Sequence, residues 1–229
     1  MKTIGLIGGM SWHSSAEYYR LINEAVHNRL GGSHSAKCVL YSLDLGELEA
    51  LELQDRWDEV LPMVIAAAQG VERAGADFAL ICTNTTHKLA DQIQAAIQIP
   101  LLHIADAVGQ HIRACGIERV GLLGTRFTME EDFYRERLSR YGLQVIIPGE
   151  VDRALVHRVI YDELCVGQIR EEARDQYRAV MGRLVKYGAE GIILGCTEIG
   201  LLVKPDDSRA PLFDSLRLHA EAAVALAFE

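Results

Sequence analysis

Two cysteines, Cys82 and Cys196, each close a short apolar run with a Cys-Thr pair. The first run reads Phe78-Ala79-Leu80-Ile81-Cys82-Thr83-Asn84-Thr85 and the second Ile192-Ile193-Leu194-Gly195-Cys196-Thr197-Glu198. Two thiols on opposite faces of one carbon can remove a proton from one side and return a proton to the other. Such a carbon, for example the α-carbon of an amino acid, is a poor acid, so the step needs a positioned base and stabilisation of the developing charge. The useful form of the base is the thiolate, and a free Cys ionises near pH 8.5 unless a helix N-terminus or a nest of backbone N–H groups lowers that value. The flanking residues suit the task. Thr83, Thr85 and Thr197 supply hydroxyls and Asn84 an amide for a carboxylate and an ammonium, while Glu198 can accept the ammonium or tune its neighbour. A buried Cys is by default a small hydrophobe. The repeated Cys-Thr and its polar flanks argue against that default here.

The repeat extends beyond the cysteines. Ile4-Gly5-Leu6-Ile7-Gly8-Gly9-Met10-Ser11 corresponds to Val120-Gly121-Leu122-Leu123-Gly124-Thr125-Arg126-Phe127, with Gly5, Leu6 and Gly8 matching Gly121, Leu122 and Gly124. These pairs lie at nearly the offset that separates Cys82 from Cys196, and one internal duplication is the expectation.

The elements that must position these residues follow from the pattern. Short apolar runs at 3–7, 37–43, 77–82, 100–103, 119–123, 143–147 and 191–195 alternate with longer amphipathic stretches, the pattern of βαβ units with a parallel sheet. Ser14 with Glu17, and Thr128 with Glu131, read as capping boxes that open a helix in each half. Tyr18, Leu21, Ile22 and Ala25 then recur at helical spacing before Gly31-Gly32 stops the first helix. The expected fold is α/β: two similar domains, each a parallel sheet flanked by helices, related by a pseudo-twofold duplication. Domain bounds are expected at 1–98 plus 207–229, the tail supplying an Ala-rich helix over roughly 214–228, and at 99–206. Both cysteines fall at strand C-termini, where open α/β sheets bind ligands.

Composition narrows the function classes. A chain of 229 residues with 49% hydrophobic content builds a real core, and its net charge of −9 disfavours a nucleic-acid partner. There is no apolar run of about 18 residues for a membrane span, and no signal-peptide pattern precedes the first strand. Five cysteines without metal-like spacing fit reduced thiols and a cytoplasmic location. His103 and Asp106 alone do not make a metal site. His87 reads as a helix-start residue that could also approach the pocket, and Trp12 as lining a cleft or an interface.

Taken together, Gly8-Gly9-Met10-Ser11-Trp12, Cys82-Thr83-Asn84-Thr85, Gly124-Thr125 and Gly195-Cys196-Thr197-Glu198 resemble the aspartate/glutamate racemase family of cofactor-independent amino acid racemases. The motifs span both halves. The resemblance implies two α/β domains with the active site in the interdomain cleft, no pyridoxal phosphate or other cofactor, no metal, and a homodimer. It implies that Cys82 and Cys196 are the two acid/bases, one for each enantiomer. It also implies that Met10, Ser11, Thr83, Asn84, Thr85, Thr125, Thr197 and Glu198 surround a small amino acid substrate. Some relatives replace one cysteine, and decarboxylation or one-sided chemistry then follows; the presence of both here favours reversible racemisation.

The resemblance also implies that aspartate-specific members grip the distal carboxylate with basic residues after the second strand and before the second cysteine. The corresponding stretches, Asp44-Leu45-Gly46-Glu47-Leu48 and Glu163-Leu164-Cys165-Val166-Gly167, contain neither Arg nor Lys. A broad or neutral side-chain preference is therefore expected, with Arg126 as the residue that could still serve an acidic substrate. Aspartate or glutamate racemisation, a Cys-dependent isomerase or decarboxylase of small dicarboxylates, and a non-catalytic small-molecule sensor are the alternatives. A nucleotide site is disfavoured because Gly5-x-x-Gly8-Gly9 lacks both phosphate-loop spacings. A redox pair would need its Cα atoms about 4.4–6.8 Å apart.

Overall fold

In the computed structural model, which describes residues 1–229, the apolar runs become strands, those at the centre of each sheet buried nearly throughout. β1 (Ile4–Gly8) is flanked by β2 (Cys38–Ser42) and β3 (Phe78–Ile81), and β4 (Leu101–Leu102) adds to β3. Between them lie α1 (Trp12–Leu30), α2 (Leu45–Glu52), α3 (Trp57–Arg73), a 3-10 turn over Thr85–Leu89 and α4 (Ala90–Ala95). The sheet is parallel throughout, in the order β2-β1-β3-β4. β1 and β3 are buried at every position, as a strand covered on both faces must be, whereas β2 sits at the edge and is largely exposed.

The second half repeats this plan. After α5 (Ile104–Ala114) come β5 (Arg119–Gly124), α6 (Arg126–Glu130), α7 (Asp132–Ser139), β6 (Gln144–Ile146) and α8 (Glu150–Val159). The chain continues through a π-helical stretch, Ile160–Leu164, into α9 (Glu171–Lys186), β7 (Gly191–Gly195), α10 (Ile199–Leu202), β8 (Leu212–Asp214) and α11 (Ser215–Ala227). The sheet order is β6-β5-β7-β8, again all parallel. Substituting β5 for β1 and β7 for β3 reproduces the first sheet, so the duplication seen in the sequence is a duplication of topology.

Each sheet has its own core. In the first, α3 lays Val60, Val64, Ala67, Ala68 and Val71 on the sheet at helical spacing, against Ile7, Ala79 and Ile81. In the second, Tyr177, Val180, Met181 and Leu184 of α9 pack with Leu123, Ile192 and Leu194.

Four details differ from the sequence reading. The compact units are Met1–Ile104 with His219–Glu229, and Ala105–Leu218, so both crossings fall later than the expected 98/99 and 206/207. The reason is pairing. β4 completes the first sheet, and β8, a three-residue strand hidden behind Pro211, completes the second. The second crossing falls inside α11, between Leu218 and His219. Ser14 does not cap α1, which starts earlier, with Ser11 as its N-cap and no side-chain cap bond. Thr128 likewise lies inside α6, whose cap is Thr125, its hydroxyl accepting the Thr128 N–H at 3.3 Å.

Candidate active site

In each sheet the chain order reverses beside the first strand, and the gap this opens at the strand C-termini is where doubly wound sheets hold ligands. Cys82 follows β3 at that end and Cys196 follows β7 at the equivalent end.

The first site is built from two loops. Cys82 is buried, and its N–H donates to Ile7 O at 2.9 Å, continuing the β1–β3 ladder by one residue. The loop after β1 turns tightly at Gly9, whose φ of +85° suits glycine and whose absent Cβ would lie 2.0 Å from Leu43 O. Ser11 follows with φ 154°, ψ 133°, a region costly for a residue with a side chain. Its hydroxyl is buried and has no hydrogen-bond partner. Ser15 fixes the turn, its Oγ accepting the Gly9 N–H at 2.8 Å and donating to Ser11 O at 3.0 Å. Met10 is drawn to the cysteine loop by Thr86, whose hydroxyl lies 3.3 Å from Met10 Sδ. Thr83 is partly exposed, while Asn84 and Thr85 are buried at the head of the 3-10 turn.

The second site replaces Asn84 with a carboxylate. Cys196 Sγ donates to Glu198 Oε2 at 3.0 Å, and Thr197 Oγ1 donates to the same oxygen at 2.8 Å. All three residues are buried. Gly124 and Gly195 face each other across β5 and β7, and a Cβ on Gly195 would stand 2.8 Å from Leu123 O. Close strand approach thus requires glycine immediately before the thiol. Thr125 is buried beside this strand end, and its hydroxyl lies 3.2 Å from that of Thr128.

Burial pushes both thiols well above the ordinary range. For Cys82 the lesser cause is the neighbouring Cys38; for Cys196 it is the Glu198 charge, followed by Cys165. Without a ligand both are therefore neutral thiols at neutral pH, and the Cys196 proton is already directed at an acceptor.

The residues expected in the pocket thus fall into two groups. Met10, Ser11, Thr83, Asn84 and Thr85 gather with Cys82 in the first unit; Thr125, Thr197 and Glu198 gather with Cys196 in the second. No group of three or more His, Cys, Asp or Glu is placed to hold a metal. No helix is long and apolar enough to cross a membrane. The stretch Glu163–Gly167 carries no cation of its own. Yet two cations flank it, with Arg158 Nη1 3.6 Å and Arg170 Nε 3.9 Å from the buried Glu163 carboxylate.

His87, read from the sequence as a helix-start residue that could approach the pocket, does sit in the 3-10 turn, and its ring nitrogens meet main-chain atoms. His87 is buried within the first unit, its Nδ1 2.6 Å from Thr83 O and its Nε2 accepting the Ile104 N–H at 3.2 Å. Its position four residues after Thr83, on a helix-like turn, was the available signal.

Comparison with known proteins points to one family. Residues 7–223 match the family described as Asp/Glu/hydantoin racemase. The broad specificity amino-acid racemase RacX of Bacillus subtilis is 25% identical over 171 residues, covering 73% of this chain and 72% of RacX. A solved structure from Yersinia pestis, provisionally assigned as an Asp/Glu racemase, is 50% identical with TM-score 0.92 over 100% of both chains. PH1733 of Pyrococcus horikoshii, described as an aspartate racemase homologue, is 33% identical with TM-score 0.86, again over 100% of both.

Proposed function

The chain belongs to the Asp/Glu/hydantoin racemase family, and from that premise we propose that it racemises free amino acids without a cofactor, through two thiols acting on opposite faces of one α-carbon. The observation that carries this reading is the equivalence of Cys82 and Cys196, each one residue beyond the matching central strand of a duplicated sheet.

The proton bookkeeping closes without any outside group. One cysteine enters the cycle as thiolate and takes the α-proton; the other, still a thiol, delivers its proton to the opposite face and leaves as thiolate. The two have exchanged roles, and the reverse reaction starts from there. At Cys196 the initial ionisation has a local acceptor, since the S–H proton can pass to Glu198 Oε2 and leave a thiolate beside a neutral acid. The substrate ammonium then favours the thiolate over the thiol. Thr83, Asn84 and Thr85 hold the α-carboxylate and α-amino groups. Ser11 contributes a hydroxyl near the N-terminus of α1, where the helix dipole favours an anion. Met10, Thr125 and Thr197 line the remainder.

The side-chain preference is broad or neutral. Asp44 uses its carboxylate to cap α2, accepting the Gly46 N–H at 2.9 Å, so the loop after β2 offers negative charge. The two cations near the segment before Cys196 are directed at Glu163. The name of the RacX relative points the same way. One observation favours aspartate or glutamate as a second reading. Arg126 forms no ion pair; its N–H donates to His157 Nδ1 at 3.1 Å and its guanidinium lies 5.3 Å from the Phe127 ring centre.

The test is incubation of the purified protein with L-amino acids in D₂O without pyridoxal phosphate, followed by chiral chromatography with mass detection. α-Deuterated D-enantiomer is expected, with homoserine, methionine or leucine turned over within tenfold of aspartate. Aspartate preferred more than tenfold moves the assignment to the second reading, and absence of α-exchange from every substrate removes the racemase assignment.

A further inference from the structure

His87 lies outside the thiol chemistry, yet its ring makes two directional bonds that fix its state. A carbonyl only accepts, so Nδ1, 2.6 Å from Thr83 O, carries the proton; a backbone N–H only donates, so Nε2, facing Ile104 N at 3.2 Å, is bare. Neither the other tautomer nor the imidazolium satisfies both contacts.

The two partners occupy special places. Thr83 follows Cys82 and opens the Thr83-Asn84-Thr85 turn. Ile104 is the last residue before the chain leaves the first unit. The return crossing is held by the same kind of contact. His219, the first residue back in the first unit, lies 2.9 Å from Leu102 O through Nε2 and 2.8 Å from Tyr18 Oη through Nδ1. The carbonyl on one side of His103 and the N–H on the other are thus each held by a histidine, and the His87 ring stands 4.5 Å from that of His103 and 5.8 Å from that of His219. All three histidines are buried.

We propose that His87 is a positioning residue for amino acid turnover. It ties the turn that carries the substrate-holding groups beside Cys82 to the segment where the chain crosses out of the first unit, and so sets the Thr83 carbonyl and the hydroxyl and amide groups that follow. This rests on the racemase reading. Its weight comes from the sensitivity of proton abstraction to alignment, since a displacement of about 1 Å can cost about 10²-fold in rate.

Two near-isosteric variants separate the two bonds. In His87→Asn the amide nitrogen takes the place of Nδ1 and keeps the donor to Thr83 O, losing the Ile104 acceptor. In His87→Gln the amide oxygen reaches the place of Nε2 and keeps that acceptor, losing the Thr83 donor. His87→Ala loses both. In D₂O, His87→Gln and His87→Ala are expected to raise KM about tenfold and to increase α-proton exchange without inversion relative to inversion, while His87→Asn stays within about threefold of wild type in both. A purely structural role lowers activity with the folded fraction and leaves both ratios unchanged. Asn and Gln variants that behave alike, with unchanged KM and exchange ratio, overturn the proposal. Amide hydrogen exchange of the peptide spanning residues 82–89 gives a readout independent of turnover. It is expected to accelerate in His87→Gln and His87→Ala and to stay at the wild-type rate in His87→Asn. Should the four proteins show that ordering of exchange rates while wild type shows no racemisation, the functional reading fails and the turn-holding role stands. Equal exchange in all variants removes the role itself.

Discussion

Glu198 and Asn84 occupy the same place in the two cysteine turns, two residues after Cys196 and Cys82, and only Glu198 can take a proton. The Cys196 thiol donates to Glu198 Oε2 at 3.0 Å; burial alone dominates at Cys82. A duplicated fold has therefore diverged at the atom that matters for ionisation. The Glu198 charge and hydrogen bond both keep the proton on Cys196, adding to a shift led by burial. In Glu198→Gln the charge contribution vanishes, while the burial and an acceptor oxygen remain. Cys196 is thus expected to ionise at lower pH than in wild type, yet above the ordinary thiol value, while Cys82 is unchanged. The pH dependence of alkylation at each cysteine, read by peptide mass spectrometry, measures this. Racemisation falls in the same variant by about 10²-fold, since the amide cannot take the proton; an upward move of the Cys196 midpoint would show that Glu198 stabilises the thiolate instead.

On the proposed two-thiol mechanism, loss of either thiol removes one half of the proton relay. Cys82→Ser and Cys196→Ser are each expected to lower racemisation by about 10²–10⁴-fold, because a serine hydroxyl is too weak an acid and base for the step. The double variant should be little worse than either single one, as expected of groups that act as a unit. Strictly multiplicative losses in chiral assays of the three variants would contradict a shared α-carbon.

A pH-dependent stability is built into the second unit at Asp207. Burial pushes the Asp207 carboxyl up. Arg174 at 2.8 Å, the Lys204 N–H at 2.7 Å and Arg178 at 2.6 Å outweigh it, and the carboxyl is held at about 2. The unfolded chain's Asp titrates near 3.9. With the folded value below the unfolded one, the contribution is complete above about pH 5 and is lost as pH falls through 4 towards 2. Asp207→Asn is expected to cost about 2 kcal/mol at pH 7, typical of hydrogen bonds to a charged group. Denaturant titrations of both proteins should converge near pH 2; a difference that persists there would locate the effect in packing.

The sheets and the place of a cysteine directly after β3 and after β7 were legible in the sequence because their signals are local. β1, β3, β5 and β7 are continuous apolar runs, and Cys-Thr marks the end of one in each half. β8 was not, because Leu212–Asp214 is three residues long and is a strand only through its pairing with β7. The capping boxes misled for a related reason. Ser14 and Thr128 have the right spacing to Glu17 and Glu131, but the helices start earlier, set by the strand-end turns at Gly9 and Thr125. The helix-start place of His87 was legible, but its two bonds were not, because its partners are main-chain atoms, which carry no residue-type signal. The strain at Ser11 is likewise a property of its φ and ψ, and nothing in the residue type announces it.

That strain gives a prediction in which stability and activity move in opposite directions. Ser11 combines a φ of 154° with a buried hydroxyl that has no partner. Each is unfavourable in the folded protein, the first by about 1–3 kcal/mol and the second by a similar amount. Ser11→Gly relieves both, because glycine tolerates that backbone region and carries no hydroxyl. Glycine also loses more chain entropy on folding, by about 0.5–1 kcal/mol, which offsets part of the gain. The variant is therefore expected to melt higher than wild type by a few degrees, since about 1 kcal/mol moves a chain of this size by 2–4 °C. Its KM should rise about tenfold if, as proposed, the hydroxyl serves the substrate carboxylate. Ser11→Ala keeps the backbone strain and loses only the hydroxyl, so its KM should rise equally with a smaller gain in melting temperature. Melting curves and initial-rate kinetics on the three proteins decide the matter. A Ser11→Gly enzyme that melts higher with unchanged KM would make the turn a strained scaffold with no part in binding.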